Sequence, residues 1–102
     1  MRITYLCLAL LTVTSVSANE PSAVRQAELR HLIKHDCGSC HGLTLKGGLG
    51  PSLLAKDLQH KPNRDLVQTI QQGRPGTAMP PWAPFISLVE TRWLVENILK
   101  KP

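Results

Sequence analysis

Cys37-Gly38-Ser39-Cys40-His41 constrains this chain more than any other stretch. Two thiols three residues apart, followed at once by an imidazole, are what covalent attachment of a c-type haem requires. Each thiol can add across one vinyl group of the same porphyrin, and the histidine is then placed to bind the iron from one side. A thioredoxin-like dithiol would need a βαβ setting and a zinc ribbon a second C-x-x-C pair; the sequence offers neither. The glycine-rich run from Gly42 to Pro51 suits a chain that must fold around a large flat group.

The start of the chain sets the compartment. A basic beginning (Met1, Arg2), an apolar stretch from Ile3 to Val13 and the small residues Val16-Ser17-Ala18 read as an export signal spanning residues 1–18, cleaved after Ala18. The apolar stretch is short for a bilayer span and is diluted by Thr4, Thr12 and Thr14, so no membrane span is expected after processing. Cys7 leaves with the leader, and residues 19–102 form one small domain of 84 residues. At little more than about 70 to 80 residues, a core of side chains alone supplies little net stability. With four aromatic residues in the whole chain, one of them in the leader, this domain needs a haem to complete its core. The haem-free chain is expected to be poorly folded.

Helical periodicity accounts for most of the domain. Val24, Ala27, Leu29, Leu32 and Ile33 recur on one face that Cys37 and Cys40 extend, predicting a first helix that delivers the thiols to the core. Asn63 offers an N-cap, Leu66, Val67 and Ile70 an apolar stripe, and Gly73 a stop for a second helix. Ser87 with Glu90 forms a capping-box pattern opening a last helix, whose buried side is expected from Val89, Trp93, Leu94, Ile98 and Leu99. No strand pair or repeat is evident, so the fold class is all-α.

Between the last two helices runs Gly73-Arg74-Pro75-Gly76-Thr77-Ala78-Met79-Pro80-Pro81-Trp82, too rich in glycine and proline for a helix. Met79 is the only methionine outside the leader, 38 residues beyond His41, in a loop where a filler of hydrophobic cores would be wasted. It reads as the second axial ligand of the iron. A thioether opposite an imidazole favours the reduced state and raises the potential, and the prolines stiffen the loop that carries it. His31 and His35 lie too close before the attachment motif to reach round to the far side, whereas His60 could reach from a polar loop.

These segments resemble the small class I cytochromes c: a helix, C-x-x-C-H, the loop Gly50-Pro51-Ser52-Leu53, a short helix ending in glycine, a Met-Pro loop and a closing helix. The loop wording, from Cys37 to Gly48 and from Gly73 to Trp82, is similar to the NirC cytochromes, encoded in denitrification clusters beside the cytochrome cd nitrite reductase. The resemblance implies three or more short helices wrapped round one haem c. It implies a periplasmic one-electron carrier rather than an enzyme, with nitrite reductase as partner. It equally permits a role in maturing the reductase's haem d, and a general carrier feeding a terminal oxidase has the same haem chemistry. It also implies that the Pro51 carbonyl receives the ring N–H of His41, and that Trp82 lies near the haem edge or a propionate, or simply in the core. Trp93 comes earlier than the late aromatic of many relatives, with Asn97 in the late turn, which leaves the packing of first and last helices open.

Charge adds a partner class. The chain has 12 Lys plus Arg against 7 Asp plus Glu, a net +5. Export argues against nucleic acid, and the excess suits either an acidic docking face on a redox partner or a merely soluble surface. Lys46, Lys56 and Arg74 lie in or near loops expected to border the haem.

Overall fold

A computed structural model describes residues 9–13 and 20–102. Most of the expected export signal, with Cys7 and the processing point after Ala18, lies outside the described residues. Leu10, Leu11 and Val13, within the expected leader, are exposed. Among the described residues no strand occurs, and no helix is long and apolar enough to cross a membrane.

The first helix, α1 (Ala23–Leu32), opens where Ser22 Oγ accepts the Arg25 N–H at 3.2 Å. It runs on through a widened turn, Ile33–Cys37, whose last N–H donor is Gly38, bonded five residues back to the Ile33 carbonyl. A single turn, α2 (Gly38–His41), completes the rod and carries the attachment motif. Gly42 then turns the chain away with φ +90°, a conformation that a side chain at this position would strain.

One element was not anticipated from periodicity, the single turn α3 (Ala55–Leu58). The next helix, α4 (Asn63–Gln72), ends at Gly73 with φ +67° as its stop signal predicts. Its start differs by one residue. Pro62, not Asn63, occupies the cap, because extended Pro62 turns its carbonyl toward the N–H groups of Asp65 and Leu66 at 3.1 and 3.3 Å. The last helix, α5 (Leu88–Leu94), carries the reciprocal capping box of Ser87 and Glu90 and continues into a second widened turn, Val95–Leu99.

The core gathers Leu29 and Ile33 from the first rod, Leu58, Val67 and Ile86 from the middle, and Trp93, Leu94, Val95 and Leu99 from the end. Val24, expected on the buried face, is 71% exposed, and Ala27 and Val89 are exposed too. The first turn of α1 meets α5 through polar groups instead. Arg25 forms an ion pair with Glu90 and donates to the Phe85 carbonyl at 3.0 Å. Further along, the Arg30 guanidinium lies 5.5 Å from the Trp93 ring centre, and Asn97 donates to the Trp93 carbonyl at 2.9 Å. The earlier aromatic thus does join the first and last helices, with Asn97 securing its backbone.

Glu90 is held below the usual carboxylate range by its hydrogen bond and ion pair with Arg25. A carboxylate whose folded pKa is depressed stabilises the fold above its unfolded pKa, about 4.3, and loses that contribution as pH falls through the folded value. Glu90→Gln keeps the shape of the capping box but removes the charge. It should cost about 1 kcal/mol at pH 7, and thermal unfolding followed from pH 7 to pH 3 should show the gap to the native chain closing on the acid side.

Candidate functional site

The elements enclose a cavity of about 830 Å³. This lies within the roughly 300 to 1,000 Å³ of pockets that bury a sizeable ligand. Leu32, Leu53, Leu66, Ile70 and Leu94 supply apolar wall. Cys37, Cys40, His41, Pro51, Met79 and Trp82, all singled out from the sequence, line this one space. His60 lines it as well, from an exposed position; His31 and His35 do not.

The histidine is fixed first. Its Nδ1 lies 2.7 Å from the Pro51 carbonyl, so that nitrogen carries the proton it donates and Nε2 keeps its lone pair. The loop that brings Pro51 back is tied to the end of α2 by its backbone: Gly47 N–H to the His41 carbonyl and Gly50 N–H to the Cys40 carbonyl, both at 2.8 Å. Gly50 is packed so closely that a Cβ there would lie 2.7 Å from His41 Nδ1 and Cε1.

Met79 is positioned by a second loop. Thr77 Oγ1 donates to the Arg74 carbonyl at 2.6 Å and accepts the Met79 N–H at 3.3 Å, while Arg74 N–H reaches the Met79 carbonyl at 3.1 Å. The far end is pinned to α4, where the Trp82 N–H meets the Ile70 carbonyl at 2.9 Å. Gln71 then donates to the Ile86 carbonyl and to Thr91, joining α4, the loop and α5. Trp82 itself is half-buried, at the cavity and edge-on to Phe85 with ring centres 5.8 Å apart.

Sequence reading missed Gly50, Thr77 and Gln71 as positioning groups. The Gly-Pro pair and a threonine two residues ahead of Met79 were the available signals, the second being a local hydroxyl turn. The segments carrying Lys46, Lys56 and Arg74 border the cavity as expected, through Leu49 to Leu53, Asp57 and Leu58, and Arg74; Lys46 and Lys56 themselves are exposed, and Lys61 lines the cavity as well.

The donor set fits a haem rather than a bare ion. Imidazole and sulfur ligands converge on an apolar-walled space, yet among the described residues no three His, Cys, Asp or Glu side chains group to hold a metal ion. A group bringing its own equatorial donors satisfies both facts. Cys37 is half-buried, and burial, helped by Asp36, pushes its thiol up to about 11, so it is neutral near pH 7; Cys40 is exposed.

Comparison with known proteins agrees. Residues 24–98 match the family described as cytochrome c oxidase, cbb3-type, subunit III. Cytochrome c55X of Paracoccus denitrificans is 48% identical over 95 residues, covering 93% of this chain and 91% of that protein. A solved c-type cytochrome NirC is 54% identical with a TM-score of 0.75, covering 78% of this chain and 94% of that one. Dihydro-heme d1 dehydrogenase NirN, solved in complex with DHE, is 30% identical with a TM-score of 0.63, covering 72% of this chain and 16% of that one.

The tight fit under the imidazole is open to a direct check. Gly50→Ala should drive a methyl into the His41 ring and destabilise the chain by about 1–3 kcal/mol. Urea unfolding of the two proteins measures it; an unchanged midpoint would mean that the loop yields freely.

Proposed function

The chain belongs to the c-type cytochromes, in the cytochrome c55X family, and from that premise we propose a periplasmic carrier that delivers single electrons to a nitrite reductase. As a c-type cytochrome it binds covalent haem c and transfers electrons. The haem supplies a one-electron couple. In our reading Cys37 and Cys40 would hold the porphyrin edge through thioether bonds, and His41 would offer Nε2 to the iron. The Pro51 carbonyl keeps that ring oriented and makes its nitrogen more basic. Met79 offers its thioether from the loop that Thr77 and Gln71 brace, and Trp82 shields the cavity on that side. With His41 and Met79 both given to the iron, no coordination site would remain for substrate, which supports a carrier of electrons with no reaction of its own. Residues 1–18 serve as the export signal, with residues 19–102 as the working domain.

The observation that carries the ligand assignment is the convergence of both cysteines, His41 and Met79 on one apolar cavity. Kinship with a NirC cytochrome supports the partner. The likeness to part of NirN supports a second reading, in which the protein accepts electrons released when dihydro-haem d1 is dehydrogenated during maturation of the reductase's haem.

Met79→Ala should abolish the weak far-red absorption of sulfur-ligated ferric haem and lower the reduction potential. Persistence of that band would assign the ligand elsewhere, with His60 as the first candidate. For the partner, stopped-flow mixing of the reduced protein with nitrite reductase should show rapid oxidation that slows as salt rises through roughly 0.01 to 0.15 M. No exchange with the reductase, alongside rapid reduction of the ferric protein by the dehydrogenase and its substrate, would select the maturation reading; exchange with neither would leave a general carrier.

A further inference from the structure

One group of chemistry-bearing side chains stands outside the cavity and takes no part in the carrier's work. His31 and His35 lie four residues apart where α1 passes into the widened turn Ile33–Cys37. Both are exposed, and their ring centres are 4.1 Å apart with the planes inclined at 38°. Among the described residues, no hydrogen bond or ion pair engages either ring.

We propose that His31 and His35 form a surface site for a divalent transition-metal ion of the class that favours imidazole, with Cu(II) bound most tightly. Two histidines at this spacing on one helical face are the pair that holds zinc in helical metal motifs. Imidazole suits zinc, nickel and copper, and for a given site the affinity of divalent ions peaks at Cu(II). Residues four apart on a helix are neighbours on one face, and here the two ring centres stand 4.1 Å apart. Because the helix already holds both rings within reach of one ion, the second ligand joins as an intramolecular step.

The surroundings set the character of the site. Arg30 and Lys34 are the neighbouring cations, but the Arg30 guanidinium is turned onto the Trp93 ring and Lys34 is exposed. Among the described residues no third His, Cys, Asp or Glu side chain completes a group, so water fills the other positions and the ion exchanges readily.

The experiment is a calorimetric titration of the haem-loaded protein with CuCl2 and, separately, ZnCl2. Native protein should take up one ion per chain, Cu(II) more tightly than Zn(II). His31→Ala and His35→Ala should each weaken Cu(II) binding at least tenfold, since losing a ligand costs no less than losing a group that orients one, roughly 10–100-fold. His60→Ala should leave binding unchanged, and an unaltered haem spectrum in every variant confirms that the fold is kept. Cu(II) binding that survives His31→Ala at native affinity, that disappears with His60→Ala, or that is absent from the native protein would overturn the proposal.

Discussion

The bond from His41 Nδ1 to the Pro51 carbonyl is the contact on which the rest of the site depends. It fixes the tautomer, and it closes a loop of ten residues back onto the helix that carries the two thiols. A bond of this kind contributes about 1 kcal/mol on its own. Its larger effect is geometric, because Pro51 can meet the ring only if the intervening backbone is folded tightly, and Gly42, Gly47 and Gly50 make that folding sterically feasible. The ring, the loop and the attachment helix therefore form one unit.

The second unit is assembled on α4. Its C-terminal carbonyls receive the chain at Trp82 and Ala83, and Gln71 extends the same junction to α5. Between the units lies the cavity. Nine buried apolar residues form the core of the described chain, a small number for a domain of this length, and several of them face the space that the porphyrin would fill. A bound haem would thus be as much a packing element as a redox centre.

The sequence announced the elements whose signals are local. The attachment motif, the stop at Gly73 and the reciprocal cap of Ser87 and Glu90 involve residues at most four apart, and each appears where its pattern places it. The residues that share the cavity followed from the motif and from the oddity of a methionine among prolines. Signals that depend on tertiary context were lost. The single turn α3 is too short to show a period, and Pro62 displaced Asn63 because a fixed φ and a well-aimed carbonyl outweigh a side-chain cap. Val24 looked buried because the helical stripe was extended past the point where α5 can cover it; there an ion pair takes over. Gly50, Thr77 and Gln71 act across gaps that no periodicity measures.

The loop between α2 and α3 has a feature with an evolutionary meaning. Its hold on the attachment helix is made almost wholly by backbone N–H and carbonyl groups, while Leu43, which does not line the cavity, is 68% exposed. Ligand geometry and outer surface are therefore written in different alphabets: glycines and main-chain bonds for the first, side chains for the second. Such a loop can change its face for a new redox partner one residue at a time, with the imidazole undisturbed beneath it.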